Sequence, residues 1–75
     1  MENIISIRLK TLHDINDFVA KANKVNGKIY ALQFEYCVNA KSNLGVMSLE
    51  PASTINVKFI DCSESEIEEF KKWEV

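Results

Sequence analysis

Apolar residues in this chain recur at a spacing of two in some stretches and of about 3.6 in others. That switching restricts it to a mixed sheet-and-helix domain. Ile5, Ile7 and Leu9 alternate with polar neighbours, the period of a strand with one buried face. Ile15, Phe18, Val19 and Ala22 follow at i, i+3, i+4 and i+7, one face of an amphipathic helix. Thr11 or Asp14 can cap its start. Asn26 and Gly27 are expected to end it, with Gly27 in the left-handed position beyond the last turn. Residues 28–40 are rich in aromatic and β-branched side chains and predict two strands of a hairpin turning near Gln33 to Tyr36. Ser42 suits the cap of a short helix carrying Leu44 and Met47, with Leu49 near its end, and Pro51 keeps that helix from passing Glu50. Ile55, Val57 and Phe59 alternate again as a fourth strand. Ser63 and Glu66 have the spacing of a capping box, and the helix they start turns Ile67, Phe70 and either Trp73 or the stem of Lys71 inward. The predicted order is β-α-β-β-α-β-α. It makes an α+β open-faced sandwich: a four-stranded, mainly antiparallel sheet with three helices on one face.

At 75 residues, residues 1–75 are expected to form a single domain. Nine basic residues against eleven acidic ones give a net charge of −2, and the basic residues are scattered along the chain. Nucleic acid is therefore not an expected partner, because phosphate backbones need a basic face. Two cysteines and one histidine, with no closely spaced ligand pair, do not make a zinc site. No metal and no cofactor is expected, and the glycines, Gly27 and Gly45, do not form a nucleotide-binding loop. Cys37 and Cys62 read as reduced, mostly packed thiols. Residues 1–5 are too polar and too short for a secretory signal, and no apolar run approaches the ~20 residues of a membrane span. The expected location is cytoplasmic, away from any membrane.

Residues 41–49, Lys-Ser-Asn-Leu-Gly-Val-Met-Ser-Leu, carry the functional signal. This stretch resembles the K-S-I-M-G-V-M-S-L segment of Gram-positive HPr proteins, the phosphocarriers of the bacterial sugar phosphotransferase system. Only Asn43 and Leu44 depart from it. Residues 18–49 align with that family without a gap, and the element order agrees over nearly the whole chain. The resemblance implies an HPr-like fold and a protein that is not an enzyme but works by docking to others. In the family, the loop before the first helix carries a phosphorylatable histidine followed by an arginine and a proline (H-A-R-P or H-T-R-P), with the arginine and helix N–H groups holding the phosphoryl oxygens. The ungapped register puts Thr11 at the histidine position. A gapped register makes His13 the nucleophile, but Asp14, Ile15 and Asn16 follow it, the loop is shorter, and Asp14 would repel a phosphoryl group.

The resemblance also implies a regulatory serine at Ser42, modified in relatives by a dedicated kinase and then read by a transcription regulator. It further implies a partner-binding patch of Asn43, Leu44 and Met47, one of the two apolar side chains being expected to pack under the sheet. Tyr30, Leu32, Phe34 and Tyr36 are expected to be mostly core. Left exposed, they would form an aromatic stripe suited to a homodimer. Three functions follow. The leading one is a regulatory or divergent homologue acting by docking, with Ser42 phosphorylated and with phosphotransferase-system proteins, a kinase or a regulator as partners. The second is a working phosphocarrier using His13. The third is a scaffold or assembly domain with no phosphotransfer role.

Overall fold

In a computed structural model, residues 3–51 and 53–75 are described. Residues 1, 2 and 52, which the single-domain expectation includes, lie outside the described residues. Four strands and three helices follow in the expected order: β1 (Asn3–Ile7), α1 (Leu12–Ala22), β2 (Lys28–Gln33), β3 (Tyr36–Asn39), α2 (Asn43–Met47), β4 (Ile55–Ile60) and α3 (Glu64–Glu68), with a 3-10 turn at Lys71–Trp73. The sheet order is β1-β4-β2-β3 and every pairing is antiparallel. Beyond β1, the last residues of the chain lie along its free edge. Arg8 N–H donates to the Trp73 carbonyl at 3.0 Å, and Val75 N–H donates to the Ser6 carbonyl at 3.0 Å. Among the described residues, none pairs along the edge at β3 in this way.

The period-two positions face the helices as predicted: Ile5, Ile7, Ile29, Ala31, Ile55, Val57 and Phe59 are buried. From the other layer come Phe18, Val19 and Ala22 of α1, Val46 of α2, Ile67 of α3, and Phe70 and Trp73 beyond it. Phe70 sits among three aromatic rings. Its centroid is 5.6 Å from Phe18, 5.2 Å from Phe59 and 6.1 Å from Trp73, all edge-on or tilted, the orientations that ring quadrupoles favour. The capping box at Ser63 is formed in both directions. The regular α-helix stops at Glu68, so Trp73 reaches the core from the 3-10 turn rather than from the helix itself. Lys21 of α1 and Glu69 are ion-paired at 2.9 Å. The hydrogen bond and charge of Lys21 hold the Glu69 carboxyl below the ordinary glutamate range. That small contribution is present at neutral pH and is lost as pH falls through the carboxylate range.

Four expectations need correction. First, α1 ends at Ala22 with Asn23 as its C-cap, and Gly27 has no positive φ. Gly27 is required for a different reason. A Cβ there would lie 2.5 Å from the carbonyl oxygens of both Ile60 and Asp61, where the start of β2 passes the end of β4. Second, the aromatic residues of the hairpin are not mostly core. Ile29, Ala31 and Gln33 take the inner face, so Tyr30 and Leu32 turn to the open face and are half-buried. Phe34 (76 %) and Tyr36 (56 %) are exposed. A single helix layer buries only one parity of each strand, which leaves Tyr30 and Leu32 on the open face, while Phe34 lies in the turn and Tyr36, opposite the inward Gln33, stands at the start of the edge strand. Third, neither Leu44 nor Met47 packs under the sheet, and Leu49 is buried beyond the end of α2. Fourth, Cys37 is exposed, because it stands opposite Leu32 on the open face of the edge strand.

The two thiols are free but differ in environment. Partial burial pushes the Cys62 thiol up, reinforced by the Glu66 carboxylate, and its S–H points at the Ile60 carbonyl at 3.5 Å. Under limiting iodoacetamide near pH 8, Cys37 is expected to be alkylated faster than Cys62 by roughly tenfold, since thiolate fraction and access both set the rate. Peptide mapping of the partly labelled protein reads the ratio, and equal labelling would contradict the assignment.

Candidate functional site

The segment around Ser42 is held by a turn whose polar groups are nearly all engaged. Asn39 Oδ1 accepts from the Lys41 N–H at 2.9 Å, and the Asn39 carbonyl accepts from the Ser42 N–H at 3.0 Å. The Lys41 ammonium reaches back to the loop after α1 and donates to the carbonyls of Val25 (2.6 Å) and Gly27 (2.8 Å). Asn23 Nδ2, at the end of α1, donates to the Lys41 carbonyl at 3.1 Å and to the Val19 carbonyl at 2.9 Å. Charge-assisted bonds of this kind are the stronger class, so Lys41 acts as a staple between two loops. Its role was missed by sequence reasoning, which saw only a matching motif letter. No local pattern announces a partner sixteen residues upstream.

That turn presents Ser42 in extended conformation (φ −105°, ψ 116°) immediately before α2, with its Oγ accepting from the Gly45 N–H at 3.1 Å. Ser42 is the predicted cap. α2 packs against α1 and β3. Gly45 lies over the sheet, where a Cβ would come within 3.2 Å of Val38 Cβ. With Val46 facing in, a residue two earlier lies roughly 200° round the helix at 3.6 residues per turn. Leu44 is therefore 84 % exposed, and Met47 is 51 % exposed beside it. Asn43 is exposed on the same helix. Asn43, Leu44 and Met47 thus share one solvent-facing patch next to Ser42. At the far end of α2, the Gln33 side chain makes a two-way bond with the Glu50 backbone: Oε1 accepts from the Glu50 N–H at 2.6 Å, and Nε2 donates to the Glu50 carbonyl at 3.1 Å. Among the described residues Gln33 is the buried polar one, and its inward parity in β2 is the sequence signal that could have found it.

His13 is at the other end of α1. Ten residues separate it from Asn23, about 15 Å along the axis at 1.5 Å per residue. The structure therefore does not bring His13 and Ser42 together. The His13 side chain is 82 % exposed, with Nε2 3.1 Å from Asp17 Oδ2. Thr11 is the N-cap of α1: its Oγ1 accepts from the Asp14 N–H at 3.0 Å, while Asp14 Oδ2 accepts from the Lys10 N–H at 3.2 Å. The start of α1 is thus closed by its own side chains. Two carboxylates, Asp14 and Asp17, stand at i+1 and i+4 from His13. An incoming phosphoryl group would meet negative charge where a phosphocarrier needs donors. Among the described residues no group of three His, Cys, Asp or Glu side chains could hold a metal ion. No helix among them is long and apolar enough to cross a membrane.

No protein-family model matches the sequence, and no curated protein does. Two solved structures do match in shape. The phosphocarrier protein HPr from Bacillus anthracis str. Ames superposes with a TM-score of 0.77 at 23 % identity, over 100 % of this chain and 96 % of that one. HPr-C-His from Thermoanaerobacter tengcongensis superposes with a TM-score of 0.75 at 27 % identity, over 96 % of this chain and 88 % of that one. Near-complete coverage of both partners, together with the β-α-β-β-α-β-α order and the open antiparallel sheet, means that this chain has the HPr-like phosphocarrier fold.

Proposed function

We propose that this chain is one HPr-like domain spanning 1–75, of the phosphoenolpyruvate-dependent sugar phosphotransferase system family, and that it is a regulatory or divergent homologue. It acts in the bacterial cytoplasm by docking to partner proteins and is not itself an enzyme. The observation that carries this reading is the contrast between the two ends of α1. At the N-terminal end, Thr11 caps the helix and Asp14 and Asp17 flank the exposed His13. At the other end, a stapled turn presents Ser42 beside the exposed Leu44 and Met47. Ser42 is the modification point in this proposal, and Asn43, Leu44 and Met47 are the partner-binding patch. Phosphorylation adds about −1.5 to −2 charges at neutral pH, which would switch that patch between partners such as phosphotransferase-system proteins, a serine kinase or a transcription regulator.

The test runs two phosphorylation reactions in parallel. Enzyme I with phosphoenolpyruvate is expected to leave the protein unmodified. The serine kinase with ATP is expected to place one acid-stable phosphate on the protein, lost in Ser42→Ala. Stoichiometric acid-labile phosphate that disappears in His13→Ala would instead establish the phosphocarrier reading. Failure of both reactions would leave the scaffold reading as the better one.

A further inference from the structure

The two-residue hairpin loop between Gln33 and Tyr36 is Phe34 and Glu35. Phe34 sits at φ 54°, the left-handed region in which glycine, asparagine and aspartate are the usual hairpin residues. Phenylalanine is disfavoured there by the clash of its Cβ with the following carbonyl. Its ring is 76 % exposed, so folding recovers little by burying it. The residue is thus unfavourable in backbone and in solvation at once, and its ring makes no aromatic contact among the described residues. Strain retained at a site that the rest of the structure does not require points to a role outside the fold.

The surroundings indicate what that role is. Tyr36, 56 % exposed, follows Phe34 across the turn. The Gln33 side chain ties Glu50 beside the base of the hairpin, and Pro51 next to it is exposed. Glu35 lies in the loop itself and is exposed, as is Glu50, whose backbone Gln33 holds, so this end of the hairpin carries negative charge. A second copy of this chain is not its occupant, because a two-fold contact would bring the negative charge of the two tips together.

We propose that the hairpin tip, with Phe34 and Tyr36 as the apolar anchors and Glu35 and Glu50 as the rim, is a docking point for an apolar segment of a partner protein that carries lysine or arginine. It lies beyond the end of α2 and does not depend on the role of Ser42. An aromatic anchor inside a charged rim is the usual construction of an interface hot spot, and the rim sets the sign of partner that is admitted.

The probe is an amphipathic peptide of leucine and lysine, titrated into the 15N-labelled protein, with a leucine–glutamate peptide as control. The expected result is shifts confined to Phe34, Glu35, Tyr36 and Glu50, weakening with salt and absent with the acidic peptide. Phe34→Asn is expected to lower affinity at least tenfold while raising the melting temperature by about 4–8 °C, because it relieves the left-handed strain. This opposite movement of binding and stability separates a binding residue from a structural one. The proposal is overturned by no shift at millimolar peptide, or by shifts centred on the α3 carboxylates Glu64, Glu66 and Glu68. Equal binding of the acidic peptide, or a fall in melting temperature in Phe34→Asn, would also overturn it. None of these outcomes bears on the Ser42 kinase assay, so the two proposals fail separately.

Discussion

Phe70→Ala is expected to remove most of the stability of this domain. The ring is fully buried and is the one that meets Phe18, Phe59 and Trp73 together. Through those contacts it joins α1, β4 and the 3-10 turn. Truncating a buried phenylalanine costs about 3–5 kcal/mol, part of it the lost transfer from water and part the cavity left behind. The cavity term is large here because the neighbours are aromatic and held from three separate elements, so none can collapse into the space. A domain of this length has roughly 4–11 kcal/mol in total at 0.05–0.15 kcal/mol per residue. Urea unfolding followed by tryptophan fluorescence reads the loss, expected as a midpoint lower by about 2–3 M for an m-value near 1.5 kcal/mol/M. Phe34→Ala at the exposed tip serves as the contrast, with a change within about 0.5 kcal/mol. Comparable losses for the two variants would contradict the assignment of the core.

Gly27→Ala is expected to be the most damaging single-methyl change in the chain. The added Cβ would lie 2.5 Å from the carbonyl oxygens of Ile60 and Asp61 and 2.8 Å from the Asp61 carbonyl carbon. Those atoms are backbone, so no side-chain rotation can make room. The start of β2 must move away from the end of β4, and with it the Gly27 carbonyl that Lys41 holds at 2.8 Å. Overpacking of this kind costs about 1–3 kcal/mol, occasionally more, and the upper end is expected because strand register and the staple are strained together. At 4–8 °C per kcal/mol for a domain of this size, the melting temperature is expected to fall by about 12–24 °C. Gly45→Ala is the control. Its Cβ would approach Val38 Cβ at 3.2 Å, a tight contact, but alanine gains about 1 kcal/mol of helix propensity over glycine. The net change is expected to be small, and a Gly27→Ala protein as stable as Gly45→Ala would disprove the steric account.

These two glycines show where sequence reasoning stops. Glycine after a helix reads locally as a left-handed terminator, and Gly27 was assigned that way. Its actual constraint comes from carbonyls more than thirty residues further along. The candidate site divides along the same line. Ser42 as a helix cap was readable, because the hydroxyl bonds to an N–H only three residues on. The exposure of both Leu44 and Met47 was not, since it depends on which face of a short helix meets α1 and β3.

What the sequence by itself determined is whatever local geometry dictates. The periods of two and 3.6 set the strands and helices in order, the capping chemistry of Ser42 and Ser63 set where the second and third helices begin and narrowed the start of the first to Thr11 or Asp14, and residues 41–49 carried the likeness to HPr that the superposed structures support as a fold. The tertiary structure alone decided which apolar residues remain outside, that Lys41 staples the turn before Ser42, that the last residues cover the edge of β1, and that Asp17 rather than a phosphate-binding donor faces His13. With the exception of the His13–Asp17 contact, these features depend on groups that meet only when distant segments pack. For that one, helical spacing brings Asp17 within reach of His13, and the folded rotamers make the contact.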